Sequence, residues 1–437
     1  MKHARRILSL LMALSILFST ASAFDTSRDS GLLKLVNKSH TLSENYVPAL
    51  TELSGLPSLG NGLLLRSEAA TALQTMLTAM AAEGIPACNV ISCYRSYAYQ
   101  LQLVNEKVEK RVANGQNRQT AYDQVTMSTA PAGASEHQMG LAIDFSAGTA
   151  TSVSFANTSV GAWLKENAWK YGFILRYQEA KIPFTAIVSE PWHYRYVGVP
   201  HAQILFENGW CFEEYISYLH ENGSYSVTLD DETYDIFWTQ DTSVEYSNIL
   251  DISSDNDGGW IITTGTVADP LSGVRGHWSE SSFAALMERG VSFHRRIDPQ
   301  RAITRGEFAD LCGLNYPDDP GAPLTRQEAA RLLEPVLTDK TLSYLLYADL
   351  DAISIRAFQS VQMCVSNGIF SHAEDLSFRP ADQMTWGEAA TTALRYLNTL
   401  PCADSETEAD SSETGESEGT EESRTEAPDA ESGNAGE

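Results

Sequence analysis

Two short alternating stretches, each with chemistry on one face, constrain this chain more than any other feature. In Leu141-Ala142-Ile143-Asp144-Phe145 the period of two expected of a half-buried strand puts Leu141, Ile143 and Phe145 on one side, and Ala142 and Asp144 on the other. In Trp192-His193-Tyr194-Arg195-Tyr196-Val197 the same alternation sends His193 to a face with Arg195 and Val197. Just upstream of the first strand, Ser135-Glu136-His137-Gln138-Met139-Gly140 adds a second imidazole, and Gly140 permits the sharp turn that lets His137 meet Asp144. Small Ala142 beside Asp144 leaves room for a metal ion. A lone histidine is more often a core residue than a ligand. A glycine-flanked histidine, an inward aspartate and a Glu-x-x-His together are hard to produce by chance. His137, Asp144 and His193 make a three-ligand zinc set that leaves one position open for water. Glu190, three residues before His193, is a spare carboxylate suited to general-base work. Pro191 biases Glu190 towards an extended backbone, so this is not the helical zincin arrangement.

Flanking stretches give the strands their scaffold. Ser67–Ala82 reads as a helix, with Ser67 as N-cap, Leu73, Met76, Leu77 and Met80 at helical spacing, and Gly84 as its end. Asn89–Ser92 reads as a strand, and Ala98 to about Ala113 as a second helix closed by Asn114-Gly115. Arg95 lies between them. Alone it reads as a surface arginine in an ordinary ion pair, with a fork for a carboxylate or an oxyanion as the sharper alternative. A further helix is expected over about Gly161–Tyr171, ending at Gly172.

Ser135-x-His137-x-x-Gly140-x-Ala142-x-Asp144 with Glu190-x-Trp192-His193 resembles the D-alanyl-D-alanine carboxypeptidases of the vancomycin-resistance type. Their zinc fold is shared with lysostaphin and the hedgehog signalling domain. Tyr94-Arg95-Ser96 with Gln100, and Gly198-Val199-Pro200-His201-Ala202, add to the resemblance, which covers roughly residues 60–220. It implies an α+β fold: a small antiparallel sheet with flanking helices, carrying one Zn2+ on His137, Asp144 and His193. It implies Glu190 as catalytic base, Arg95 on the substrate carboxylate or the oxyanion, and Gln100 and Ser135 lining the substrate site. The substrate implied is a peptidoglycan stem peptide ending in D-Ala-D-Ala. L,D-carboxypeptidase action on a tetrapeptide stem and a non-catalytic wall-binding protein with a structural zinc are the alternatives.

The rest of the 437 residues divides by composition. Lys2, Arg5 and Arg6, the apolar run Ile7–Phe18 and Ala21-Ser22-Ala23 read as a secretory signal over 1–23, with a retained anchor as the alternative. The expectation is therefore an exported protein with no membrane span once the signal is removed; association with the cell wall is implied only by the resemblance of the C-terminal repeats over 271–400. A lead segment, 24–59, has no clear pattern. Residues 221–270 read as a small β unit: Ser224–Leu229 and Thr233–Thr239 flank Asp230-Asp231-Glu232 as a hairpin, and Trp260–Thr264 adds a strand. Over 271–400, Thr304-x-x-Glu307, Thr325-x-x-Glu328 and Thr385-x-x-Glu388 are capping boxes that open apolar helical runs. This resembles S-layer homology repeats, which implies affinity for a cell-wall polymer. The boxes begin 21 and then 60 residues apart, so the middle repeat looks truncated, and Trp386 stands where that family usually places Arg. The segment 401–437 is acidic, poor in apolar residues and expected to be disordered. Loss of the signal takes the formal charge from -27 to -30, which argues against nucleic acid as a partner. Six scattered cysteines contain no Cys-x-x-Cys; buried free thiols are expected, with a Cys88–Cys93 bridge as the alternative.

Overall fold

The computed structural model describes residues 22–53, 62–148, 151–371 and 376–400. The signal, apart from its last residues, and the acidic segment after residue 400 lie outside the described residues. The described residues through Leu397 belong to one compact unit.

Helix α1 (Ser67–Ala82) has the expected bounds, but Ser67 does not cap it. Arg66 occupies the N-cap position, and the Ser67 hydroxyl donates to Gly321 O at 2.8 Å. Strand β1 (Asn89–Ser92) leads into α2 (Tyr97–Ala113), which Ser96 caps by accepting from Tyr99 N. A short α3 (Arg118–Thr126) follows, then β2 (Ala142–Ser146). Helix α4 (Ser159–Asn167) begins at the side-chain cap of Thr158 and tightens into a 3-10 turn, Ala168–Tyr171, before Gly172. Strands β3 (Phe173–Leu175) and β4 (His193–Tyr196) complete an antiparallel sheet of order β1-β2-β4-β3. Within it Ala142 pairs with Arg195, Ile143 with Tyr194, and Asp144 with His193.

One face of this sheet is dry. Leu73, Met76, Leu77 and Met80 of α1 pack with Val90, Ile143, Phe145 and Tyr194, each side chain contributing about 1.5–3 kcal/mol on burial. The other face differs from the sequence expectation: β2 is buried along its whole length, not half-buried. On that side Arg195, which pairs with Ala142, donates to Leu32 O of the lead segment, and the same segment is tied to the approach to β2. Leu42 N–H donates to Gly133 O, and Gln138 donates to Ser43 O and Tyr46 O.

Helices α5 (Val199–Asn208) and α6 (Phe212–Asn222) then lead into a second antiparallel sheet. Its strands are β5 (Ser224–Leu229), β6 (Glu232–Thr239), β7 (Ile249–Ser254) and β8 (Trp260–Val267), in the order β7-β8-β6-β5. The expected hairpin is present, with its turn at Asp230-Asp231; β7 is an additional strand, and β8 runs three residues further than expected. Ile236 and Ile261 share one core with Leu33, Leu35, Phe212, Tyr215 and Leu219, so this sheet, α6 and the lead segment pack as one.

Beyond it come α7 (Glu280–Glu288), α8 (Arg305–Cys312), α9 (Arg326–Leu333), α10 (Ile355–Ser366) and α11 (Trp386–Leu397). Thr304/Glu307 and Thr325/Glu328 form reciprocal capping boxes, as do Thr385 and Glu388. The residues before the three caps close a ring: Ile303 N donates to Met384 O, Met384 N to Leu324 O, and Leu324 N to Ile303 O. Arg305 reaches Glu328 of the next box, and Arg326 reaches Glu388 at 3.8 Å. The third step has Trp386 in place of arginine, and Arg301 and Arg295 serve Glu307 instead, each at 2.7 Å and each over the Trp386 ring. Helix α10 packs on α9, while α7 and α8 both pack on α11, with no helix between Cys312 and Arg326. The 21-residue interval between the first two boxes thus holds the single helix α8.

Among the described residues, no helix is long and apolar enough to cross a membrane. Cys88, Cys93, Cys211, Cys312 and Cys364 are buried free thiols.

Candidate metal centre and active site

The site forms where β2 and β4 lie side by side and the turn before β2 folds over them. His137 sits in a 3-10 turn, Glu136–Met139, that ends at Gly140 with φ +67. A Cβ at Gly140 would stand 2.7 Å from Leu50 Cδ2, so both conformation and space select glycine there. His137 Nδ1 lies 2.5 Å from Cys93 O. A carbonyl only accepts, so Nδ1 carries the proton and Nε2 keeps its lone pair. That Nε2 is 3.3 Å from Asp144 Oδ2, and Asp144 Oδ1 is 2.9 Å from His193 Nδ1. One ligand atom from each of the three lies within 4.8 Å of the others, and all three residues are buried.

The residues fit a zinc ion. His137 Nε2 is buried with no hydrogen-bond partner, and a buried lone pair beside carboxylate oxygens is costly unless a cation satisfies it. Two imidazoles and one carboxylate, with no thiolate, are also the donor set of catalytic zinc. Burial, helped by the Arg95 charge, pushes His137 down to about 4 and keeps it neutral for ligation. Asp144 is held well below the usual carboxylate range because His137 and His193 outweigh the cost of burial.

Glu190 Oε2 is 3.9 Å from His193 Nδ1. Burial pushes its carboxyl up to about 7, with His193 opposing. Arg95 follows β1; its N–H donates to His137 O at 3.1 Å, and its Nη2 is 3.5 Å from Asp144 Oδ2. Arg95 Nε is buried without a partner. The structure therefore gathers His137, Asp144, His193, Glu190 and Arg95. Ser135 is buried at the start of the His137 turn. Gln100 spends an amide N–H on Ala130 O at 2.6 Å and leaves Oε1 buried and unpartnered, so it braces the approach loop.

Several residues escape a reading of the motifs. Glu136 accepts from Arg176 Nε at 2.8 Å and forms an ion pair with Arg195 Nη1 at 3.2 Å, and all three are fully buried. Tyr177 lies against the His193 ring, 4.8 Å between centroids. Lys107 of α2 donates to Thr129 at 2.7 Å, and its charge acts on Glu190. One signal was available: an arginine on the inward face of a strand, two residues after His193, requires a buried anion. Arg176 carries no comparable signal.

Residues 62–199 match the family model described as VanY, D-alanyl-D-alanine carboxypeptidase. A D-alanyl-D-alanine carboxypeptidase of Enterococcus faecium is 44% identical over 138 residues, 30% of this chain and 45% of that protein. The bifunctional D-Ala-D-Ala dipeptidase and D-Ala-D-Ala carboxypeptidase VanXYC of Enterococcus gallinarum is 31% identical over 192 residues, 43% of this chain and 94% of that protein. The solved structure of VanYB in complex with D-alanine-D-alanine is 34% identical, covers 42% of this chain and 97% of its own, and has a TM-score of 0.37. The chain thus spans about half the length of the first relative and nearly all of the second. With the His137, Asp144, Glu190 and His193 constellation assembled inside the matched segment, the chain belongs to the VanY D-alanyl-D-alanine carboxypeptidase family.

Proposed function

We propose that this chain is an exported, zinc-dependent carboxypeptidase that removes the terminal D-Ala from peptidoglycan stem peptides. The observation that carries the reading is a spare carboxylate, Glu190, 3.9 Å from one member of a buried three-ligand cluster. Zinc, when bound there, supplies Lewis acidity to the scissile carbonyl and makes water a better acid. Glu190 takes the proton from the attacking water and delivers it to the departing amine of D-Ala. Arg95 offers N–H donors to the oxygen that gains charge, or to the free carboxylate of the stem. Burial of the site keeps these interactions in a low dielectric, where they are stronger than in water.

The test is metal analysis of the purified full chain with digestion of defined muropeptides and mass spectrometry. One zinc per chain and loss of a single D-Ala from the pentapeptide are expected. A preference for the tetrapeptide would replace this reading with L,D-carboxypeptidase action. Unchanged turnover in Glu190→Ala with zinc retained would remove the enzymatic reading.

We also propose that the three-box unit attaches the protein to wall polymer. A groove of about 250 Å³ there is lined by Trp278, Gln300, Arg379, Asp382, Thr385 and Glu388. An exposed indole beside charged and amide groups suits a sugar face with its hydroxyls. Full chain that fails to sediment with purified walls, or a Trp278→Ala variant that sediments equally well, would sink this assignment.

A further inference from the structure

Glu136 is more than a counter-ion for two arginines. Its Oε1 takes both guanidinium contacts, from Arg176 at 2.8 Å and Arg195 at 3.2 Å. Its Oε2 is buried with no hydrogen-bond partner, and it points at His193 Nε2, 3.6 Å away, which is itself buried and unpartnered. Two orphaned buried atoms, one an anionic acceptor and one a potential donor, face each other across a gap slightly longer than a hydrogen bond. Each is the other's remaining partner.

We propose that Glu136 is the positioning residue for His193: its carboxylate accepts the Nε2 proton of that ring and reserves Nδ1 for the metal. The proposal rests on the zinc-site reading above and adds what decides the ring's tautomer. A ligating imidazole is commonly fixed through the hydrogen bond made by its other nitrogen. His137 uses the Cys93 carbonyl on Nδ1 and presents Nε2. His193 does the reverse: Nδ1 lies on the Asp144 side and Nε2 on the Glu136 side. The two imidazoles would thus offer the ion different nitrogens, Nε2 from His137 and Nδ1 from His193.

The carboxylate is anchored from several parts of the chain. Arg176 makes a bidentate pair with Glu213, at 2.8 and 2.6 Å, in the first turn of α6, where a helix N-terminus favours negative charge. Arg195 Nη2 donates to Leu32 O at 2.8 Å and lies 3.4 Å from Lys34 O. Those lead-segment residues are themselves tied to the second sheet: Leu33 N–H donates to Ser253 Oγ, and Leu35 N–H to Asp255 O. The Tyr177 ring packs against His193. Two fully buried guanidiniums keep Glu136 ionised, burial being opposed first by Arg176 and then by Arg195, with its carboxyl held far below the usual range. The lead segment and α6, outside the ligand motif, thereby hold one of its ligands in orientation.

A purely structural Glu136 would affect folding and leave the metal chemistry alone, which separates the two roles. In the zinc-loaded full chain labelled with 15N-histidine, His193 is expected to carry its proton on Nε2 with Nδ1 ligating; a proton on Nδ1 overturns the proposal without any variant. In chelator competition, Glu136→Ala is expected to bind zinc roughly 10- to 100-fold more weakly. Glu136→Gln, which keeps an acceptor oxygen, should recover part of that loss. Cobalt-loaded Glu136→Ala should show shifted visible bands. Wild-type zinc affinity and unshifted bands in Glu136→Ala would refute the role. D-Ala release by the wild type tests the catalytic reading separately, since lost turnover with the expected tautomer would sink that reading alone.

Discussion

Asp144 and His193 stand directly opposite each other on adjacent antiparallel strands, with Oδ1 2.9 Å from Nδ1. Opposed side chains in such a ladder have Cβ atoms about 4.5–5.5 Å apart, so the sheet itself sets the spacing of two candidate ligands. His137 is brought in by the turn at Gly140. Asp144→Ala should therefore leave the circular dichroism spectrum of the chain unchanged and abolish stoichiometric zinc. Retention of one tightly held zinc by this variant would mean that the metal is bound elsewhere.

Glu190 should act on rate and not on metal binding. General-base removal typically costs about 10²–10⁴-fold, so Glu190→Gln should lose that much in kcat for D-Ala release with zinc content unchanged.

The pH profile should report the same group. Burial, with His193 opposing, pushes Glu190 up to about 7, and a nearby divalent cation would favour its carboxylate and pull this down. A base works when deprotonated, so kcat/KM should fall as pH drops, with its acid limb between about 4.5 and about 7. A limb that keeps its position in the residual activity of Glu190→Gln belongs to another group.

Glu307 makes the C-terminal helices acid-sensitive. Burial alone would raise its carboxyl, but Arg301 and then Arg295 outweigh that and hold it at about 2. A depressed carboxylate contributes stability that is fully present above its ordinary value of 4.5 and is lost as pH falls towards 2. Glu307→Gln should destabilise this unit by ~2 kcal/mol at pH 7, allowing for its partial contact with water. The gap to wild type should close on acidification, as followed by chemical denaturation at several pH values. A gap that is constant with pH would assign the loss to the capping box alone.

The thiols offer an inexpensive check. Burial pushes Cys88 up to about 11, and all five described cysteines are buried and unbridged. Ellman's reagent should find at most one fast thiol, Cys402, in native protein and all six after denaturation. A total of four in denaturant without reductant would indicate a disulfide.

Local rules settled what needs only neighbours. The capping boxes at Thr304, Thr325 and Thr385, the period-2 strands of the site, and the ends of α1 at Ala82 and α2 at Ala113 follow from spacing and turn chemistry along the chain. Both strands, and the side chains His137, Asp144, Glu190 and His193 that the structure gathers there, were legible for the same reason, since each announces itself within a few residues. The lead segment offered no periodicity, because its residues are ordered by bonds to Gly133, Ser253 and Asp255 instead of by each other.

Tertiary structure decided everything that depends on opposing charges meeting. Arg176, Glu136, Arg195 and Glu213 are far apart in the chain, and only the packing of α6 and the lead segment against the sheet makes them one network. The closure of three separated boxes into a ring of backbone hydrogen bonds is of the same kind. A sequence states which groups exist and how their immediate neighbours bend the chain. Burial and proximity, which fix protonation and orientation, come into being when distant segments share a low-dielectric interior.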